Sequence, residues 1–483
     1  MLSILPARAL ELIVQYLRSL DNNQKDSLPF TQLNRRLRYT TQRLVWEYFT
    51  LSRALPPSPY FAHIQRFISR LQIAQDAELS EAQWLDGLGY LGGLDWTNVR
   101  MVSVELDGFI GWKPVARRVV EFVHGRLSGV GELWVALSED MEIVRLMVEG
   151  ARYPNVEELR LVGKRSLTKP AAGRVVVPEY RGLTAISLDG VSLALTSVAE
   201  LVGRSRGTLR ELNIEEYSAA VAAQLHLHPD SAWIEYPRLR QLAISSEGGC
   251  AAVDGERLPA VEMLYYREAT YQAPGTSGYS PVFESTSLRL MQGVWRGLRL
   301  LVVDAMTRGD IEWVGRRAPR LEVLRIGMLS SDVDFADLLP TPALDLGSVS
   351  LLLATCGRLV ELCVETPEAF EDFYNNHEGA DPRLPWYERP FDVRAAVLGA
   401  GSGLRSLMLN AWALTFDQML ALFESLPQLV SFEGNLKFNA SYPATRRLSP
   451  GHASLKHLSL VHSTATRHRR VFKSNLLRRR SPA

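Results

Sequence analysis

Cysteine is nearly absent: Cys250, Cys356 and Cys363 are the only thiols in 483 residues. Three thiols build no disulfide framework, and no Cys-x-x-Cys pair offers a zinc or redox motif. A reducing compartment, cytoplasmic or nuclear, is therefore expected. Long apolar runs are missing too. No uncharged stretch approaches the ~18–20 residues of a membrane helix. The apolar amino-terminal segment is interrupted by Arg8 and Glu11, with no clean cleavage site after it, which argues against a signal peptide. Neither sign of charge dominates, since 54 Lys plus Arg oppose 53 Asp plus Glu. No global field recruits nucleic acid or an acidic membrane. Absent as well are Gly-x-Gly-x-x-Gly, a P-loop, His-Glu-x-x-His and Gly-x-Ser-x-Gly, so the common enzyme motifs give no catalytic residue and call for no cofactor or metal.

What is present is one short pattern, apolar-x-x-apolar-x-apolar, returning from about residue 96 onward. Clear copies are "VEELRL" (Val156), "LTAISL" (Leu183), "LRELNI" (Leu209), "LRQLAI" (Leu239) and "LRLLVV" (Leu298). They continue as "LEVLRI" (Leu321), "LVELCV" (Leu359), "LRSLML" (Leu404) and "LKHLSL" (Leu455). Weaker copies begin at Val99, Val130, Val261 and Leu429. The last two apolar positions stand two apart, as in a strand with one buried face. Between copies lie segments with helical apolar spacing, such as "VARRVVEFVHGRL" and "DQMLALFESLP", ending near Gly or Pro. The unit reads as helix, tight turn, short strand, with a period of roughly 22–30 residues.

This pattern resembles leucine-rich repeats. The resemblance implies an α/β solenoid: a curved parallel sheet with helices on its convex side, each unit burying its apolar face only against its neighbours. Strand residues between the core positions then face solvent on the concave side. Candidate substrate-binding residues there are Arg160, Glu211, Asn213, Tyr265, Arg325, Glu361, Met408 and His457. Arg160, Arg325 and Arg405 are candidate phosphate contacts if the fold brings some of them together.

Two stretches break the period: 267–287, rich in Gly, Pro, Ser and Tyr, and 365–392, acidic with aromatics around Phe370, Phe373, Tyr374, Trp386 and Tyr387. Each reads either as a tolerated insertion or as a partner-binding loop. "HLH" at 226–228 lacks a third metal ligand nearby, and the evenly spaced His452, His457 and His462 suit neither a strand face nor a helix face. Surface histidines account for both. Cys356 and Cys363 read as small core or strand-face residues. The carboxyl end, 466–483, is locally basic. It reads as a solvated tail or as a nuclear-import signal.

Residues 1–53 lack the pattern and read as compact helices, too small to bury much apolar surface alone. Residues 54–95 read as a helical linker or cap, and 96–465 as the irregular repeat array. In the first segment the spacing of Leu5, Pro6, Leu10, Ile13, Tyr16 and Leu17 predicts one helix. Asp26, Leu28, Leu33, Asn34, Arg35 and Arg36 follow, and Leu44 and Trp46 close the segment. This order resembles the F-box, although Ala7 and Arg8 stand where that family has an acidic pair.

An F-box before leucine-rich repeats is similar to the substrate receptors of Skp–cullin–F-box ubiquitin ligases. The resemblance implies docking on the Skp adaptor, and through it on cullin, by Leu5, Pro6, Leu10, Ile13, Leu17, Leu28, Leu33 and Trp46. The repeats would hold a protein substrate, and the chain itself would carry no chemistry. The alternative is a leucine-rich-repeat scaffold whose amino-terminal helices are only a cap on the solenoid.

Overall fold

The computed structural model of the chain describes residues 46–51, 58–75, 79–109, 111–127, 129–136, 147, 155–163, 180, 182–189, 196–215, 217, 219–247, 252–269, 291–306, 308–329, 352, 355–364, 403–436, 454–462 and 471–472. The chain divides into two compact units, residues 1–215 and 216–483. Each is an α/β structure built on parallel strands.

In the first unit the strands are β1 (Tyr48–Leu51), β2 (Arg70–Ile73), β3 (Met101–Glu105), β4 (Glu132–Ala136), β5 (Glu158–Val162), β6 (Ala185–Asp189) and β7 (Glu211–Ile214). Each pairs in parallel with the next in sequence. Register stacks them into rows. Phe49, Leu71, Val102, Leu133, Leu159, Ile186 and Leu212 form one buried row. Leu51, Ile73, Val104, Val135, Leu161, Leu188 and Ile214 form a second. Removing this aliphatic surface from water is the main favourable term, at about 25 cal/mol per Å².

The second unit repeats the scheme. Its strands are β8 (Gln241–Glu247), β9 (Val253–Asp254), β10 (Met263–Ala269), β11 (Met291–Gln292), β12 (Leu300–Met306), β13 (Val323–Leu329), β14 (Glu361–Val364), β15 (Ser406–Leu414), β16 (Ser431–Leu436), β17 (His457–His462) and β18 (Val471–Phe472). β8, β10 and β12–β17 pair in parallel in chain order. β18 closes antiparallel on β17, and β9 with β11 forms a separate small ladder. One core row runs Leu242, Leu264, Leu301, Leu324, Leu362, Leu407 and Phe432 and ends at the half-buried Leu458.

Two hydrogen-bonding devices recur and explain the six-residue pattern. The carbonyl just before each strand accepts two N–H groups from the next strand's entry. Arg100 O takes Gly131 N and Glu132 N, Arg240 O takes Glu262 N and Met263 N, and Arg405 O takes Val430 N and Ser431 N. The first apolar residue of the pattern donates its N–H to a buried residue three positions earlier. Leu321 N reaches Ala318 O, Leu359 N reaches Cys356 O, and Leu429 N reaches Leu426 O. The chain thus turns at a buried anchor, enters at a second apolar side chain, and then alternates as a strand.

Helices α1 (Ser58–Ile64), α2 (Glu81–Leu91), α3 (Lys113–Arg126), α4 (Thr196–Ser205), α5 (Ala219–Gln224), α6 (Arg308–Arg317) and α7 (Phe416–Ser425) lie between the strands in sequence. α2 and α7 each start with a full capping box, Ser80 with Gln83 and Thr415 with Gln418. Such a cap satisfies N–H groups that the first helical turn leaves unpaired. α3 carries Pro in its first turn, where the missing N–H costs nothing. Behind the first strands Trp84 packs edge-on against Phe109, and Trp96 edge-on against Phe122.

The strands begin earlier than the expected residue 96. "WEYFTL" and "ISRLQI" both carry the six-residue pattern, at Trp46, Phe49, Leu51 and at Ile68, Leu71, Ile73. Residues 48–51, expected to be helical, are β1, and 54–95 contains β2 beside α1 and α2. Aromatic residues in leucine positions hid the first copy; surrounding helical spacing hid the second.

Candidate functional site: the open face of the sheets

Side chains between the core rows face away from the helices' buried contacts and, Cys363 excepted, remain at least partly exposed. In the first unit the central row of this open face is Thr50, Gln72, Ser103, Trp134, Arg160, Ser187 and Asn213. It is polar and internally bonded. Tyr48 Oη donates to Gln72 Oε1, and Gln72 Nε2 donates to Glu105 Oε1 at 2.6 Å. Asn213 Nδ2 donates to Ser187 Oγ at 3.2 Å. Arg160 lies 5.0 Å over the Trp134 ring and donates to Asp189 at 3.4 Å. The neighbouring row places Glu132 beside Glu158, with Glu211 two strands beyond Glu158. Partial burial, then the charges of Glu132, Glu211 and Glu157, push the Glu158 carboxyl above its ordinary range.

In the second unit the central row is Ala243, Tyr265, Val302, Arg325, Cys363, Met408, Glu433 and Ser459. The row beside it is Gln241, Met263, Leu300, Val323, Glu361, Ser406, Ser431 and His457. Met263, Tyr265, Leu300, Val302 and Val323 form a partly exposed apolar area spanning β10, β12 and β13. At its border Arg325 grips one carboxylate oxygen of Glu361, with Nη2 at 2.9 Å and Nε at 3.2 Å. Cys363 is buried and donates its S–H to Met408 Sδ at 3.2 Å.

Every expected substrate-binding residue thus occupies an open-face row position. Tyr265, Arg325, Glu361 and Met408 fall in adjacent strands or the next ones along, whereas Arg160, Glu211 and Asn213 belong to the first unit and His457 to the last parallel strand. Arg160 and Arg325 are each held by a carboxylate. Of the expected adaptor-binding residues, Leu5, Pro6, Leu10, Ile13, Leu17, Leu28 and Leu33 lie outside the described residues. Trp46 is described and is buried at 6% exposure, in the first apolar position of a repeat. The proposed insertions 267–287 and 365–392 lie almost wholly outside the described residues, as does most of the basic tail. Cys356 is the buried turn anchor before Leu359, and burial pushes its thiol up despite a hydrogen bond from Thr355 that lowers it.

Among the described residues no group of three or more His, Cys, Asp or Glu side chains could hold a metal ion. His228 Nδ1 accepts the N–H of Asp230 at 3.2 Å. No described helix is long and apolar enough to cross a membrane.

Sequence reasoning passed over Arg257. This side chain is 2% exposed and donates to the carbonyls of His226, Pro229, Ser231 and Ala232 and to Ser231 Oγ, at 2.7–3.0 Å. Its Nε reaches Asp254 Oδ2 at 3.3 Å. No local motif marks it, because apart from Asp254, three residues earlier, its partners lie 25–31 residues away. Gly255 and Gly293 make room for this centre. A Cβ on Gly255 would meet Trp295 at 2.6 Å, and one on Gly293 (φ +72°) would meet Asp254 Oδ1 at 2.6 Å.

No protein-family model matches the chain, and no curated protein shows significant similarity to it.

Proposed function

We infer that this chain is a non-catalytic recognition subunit whose repeats hold a protein partner on the open face of a leucine-rich-repeat-type solenoid. The observation that carries the reading is the apolar area of Met263, Tyr265, Leu300, Val302 and Val323, aligned by register on three consecutive strands. Contiguous apolar surface of this kind, bordered by a charged pair, is suited to burial by another protein. Sequential parallel pairing with a helix between many strands supports the solenoid, in which a curved sheet carries its helices on the convex side.

The F-box resemblance extends this reading to the substrate-receptor subunit of a Skp–cullin–F-box ubiquitin ligase. Its contribution would be proximity, raising the effective concentration of substrate lysines near the charged conjugating enzyme. The adaptor contact is assigned to Leu5, Pro6, Leu10, Ile13, Leu17, Leu28 and Leu33. Trp46 is buried in its repeat and is left out of this contact.

Co-purification with Skp adaptor and cullin tests this reading. The full chain should retain both, and Leu10→Asp with Ile13→Asp should lose them while thermal unfolding of the repeats is unchanged. Retention by the variant, or no adaptor with the unaltered chain, overturns the ligase reading. The burial of Trp46 and the extension of the strands back to Tyr48 favour the second reading, a repeat scaffold capped by its amino-terminal helices. In that case Leu10→Asp with Ile13→Asp lowers the unfolding temperature instead.

A further inference from the structure

We propose that the loop 225–236 is a second protein-binding site, separate from the open sheet face, which takes a basic segment of a partner through Trp233. Trp233 is 56% exposed, the most exposed large apolar side chain among the described residues. An exposed indole on a mobile loop would mean little. This one stands on a loop tied down by hydrogen bonds, with Arg257 against its ring and Glu235 at its Nε1.

Both ends of the loop are tied together, because Tyr236 Oη donates to Leu225 O at 2.7 Å and Tyr236 N donates to Arg257 O at 3.0 Å. His226 turns the chain in the left-handed region, φ 57°. Ser231 then folds back, donating both N–H and Oγ–H to His228 O. From below, Arg257 collects the loop carbonyls and lies 5.1 Å from the Trp233 ring centroid. Compact loops closed at their ends and packed on their own polar groups often serve recognition. A pre-ordered aromatic side chain gives up little conformational entropy when a partner covers it.

The surroundings select the partner's charge. Asp254 and the loop carbonyls neutralise and solvate the buried Arg257. The exposed ionisable groups of the loop and of its Arg257 turn are acidic: Asp230, 91% exposed at its side chain, Glu235 and Glu256. Trp233 Nε1 points at Glu235 Oε1, 3.4 Å away. Arg238 and Arg240, also exposed, follow Tyr236 in the turn into β8. An arginine or lysine laid on the open indole face meets the ring's negative quadrupole, with Asp230 and Glu235 as counter-charges. An acidic ligand or a nucleic-acid backbone would meet the like charges of Asp230 and Glu235 beside the ring.

The test uses the full chain and a fluorescent octa-arginine peptide, read by anisotropy at two salt concentrations. Binding is expected, with octa-glutamate and a single-stranded oligonucleotide of similar length giving none. Asp230→Asn with Glu235→Gln should weaken it at least fivefold and flatten its salt dependence. Trp233→Ala should weaken it at least tenfold, and Trp233→Phe less than threefold. Asp230 and Glu235 are exposed, so their variant decides the matter even if Trp233→Ala unfolds. The proposal is overturned if octa-arginine does not bind, if these variants bind it like the original chain, or if the oligonucleotide binds as well. It also fails if binding is abolished only by Glu132→Gln, Glu158→Gln and Glu211→Gln, which would move the peptide to the first unit.

Discussion

In the unit of residues 1–215 the centre of the open face reads Thr50, Gln72, Ser103, Trp134, Arg160, Ser187 and Asn213. At the same register position the unit of residues 216–483 has Ala243, Tyr265, Val302, Arg325, Cys363, Met408 and Glu433. Beneath these rows both cores are lines of mainly Leu, Val and Ile, with Phe49 in the first unit and Tyr266 and Phe432 in the second. Core positions are constrained by stacking on both neighbours, whereas open-face positions are free to differ. The first unit spends that freedom on side-chain hydrogen bonds and acidic groups, the second on apolar area. The interiors differ as well. Among the described residues the buried polar side chain of the first unit is Ser205, while the second buries Asp254, Arg257 and Asp310.

The largest effect expected from breaking this contrast comes at Arg257. Arg257→Met leaves the carbonyls of four loop residues without their donor. Urea unfolding should show a loss of about 3–5 kcal/mol. A loss under about 1 kcal/mol would mean that the second unit does not depend on its buried charge.

The cores should behave alike. Leu133→Ala in the first unit and Leu324→Ala in the second, both fully buried, should each cost about 2–5 kcal/mol by the same measurement. A clear disagreement between them would show that one core tolerates cavities that the other does not. The helix caps offer a smaller test of likeness. Ser80→Ala and Thr415→Ala should each cost about 1 kcal/mol in thermal unfolding.

The open faces should separate again at low energies. Arg325→Ala removes an exposed ion pair and should cost no more than about 1 kcal/mol, less at high salt. Glu158→Gln should stabilise slightly, by a few tenths of a kcal/mol after solvent screening. Its carboxyl titrates above the ordinary value when folded, so its charge opposes folding at neutral pH. That cost is full above the raised folded value and disappears as pH falls through the ordinary carboxyl range. The gain from Glu158→Gln should therefore be present at pH 7 and gone near pH 3.

The repeating pattern was legible because it is local: an apolar turn residue and two alternating strand residues within six positions. Even weak copies such as "VEMLYY" and "LVSFEG" form strands, β10 and β16. The two earliest copies are equally local, but Trp46 and Phe49 replace leucine in the first, and helical spacing surrounds the second at Ile68. Alternation also assigned Tyr265, Arg325, Glu361 and Met408 to the open face. It did not reveal that Cys363, in such a position, is buried, since a neighbour's cover is not written in a strand's own period.

By itself the sequence determined the unit, its parallel order and the alternating apolar side chains of the core rows, since each repeat buries its apolar residues only by stacking on the next. Only the tertiary structure decided which open-face residues meet. Arg160 finds Asp189 across 29 residues, Arg325 finds Glu361 across 36, and Cys363 finds Met408 across 45. Those separations depend on how much chain each repeat spends between strands. Arg257 shows the same cause most sharply: the carbonyls it binds share no motif with it, and only the closing of a loop from the preceding repeat brings Trp233 over its guanidinium.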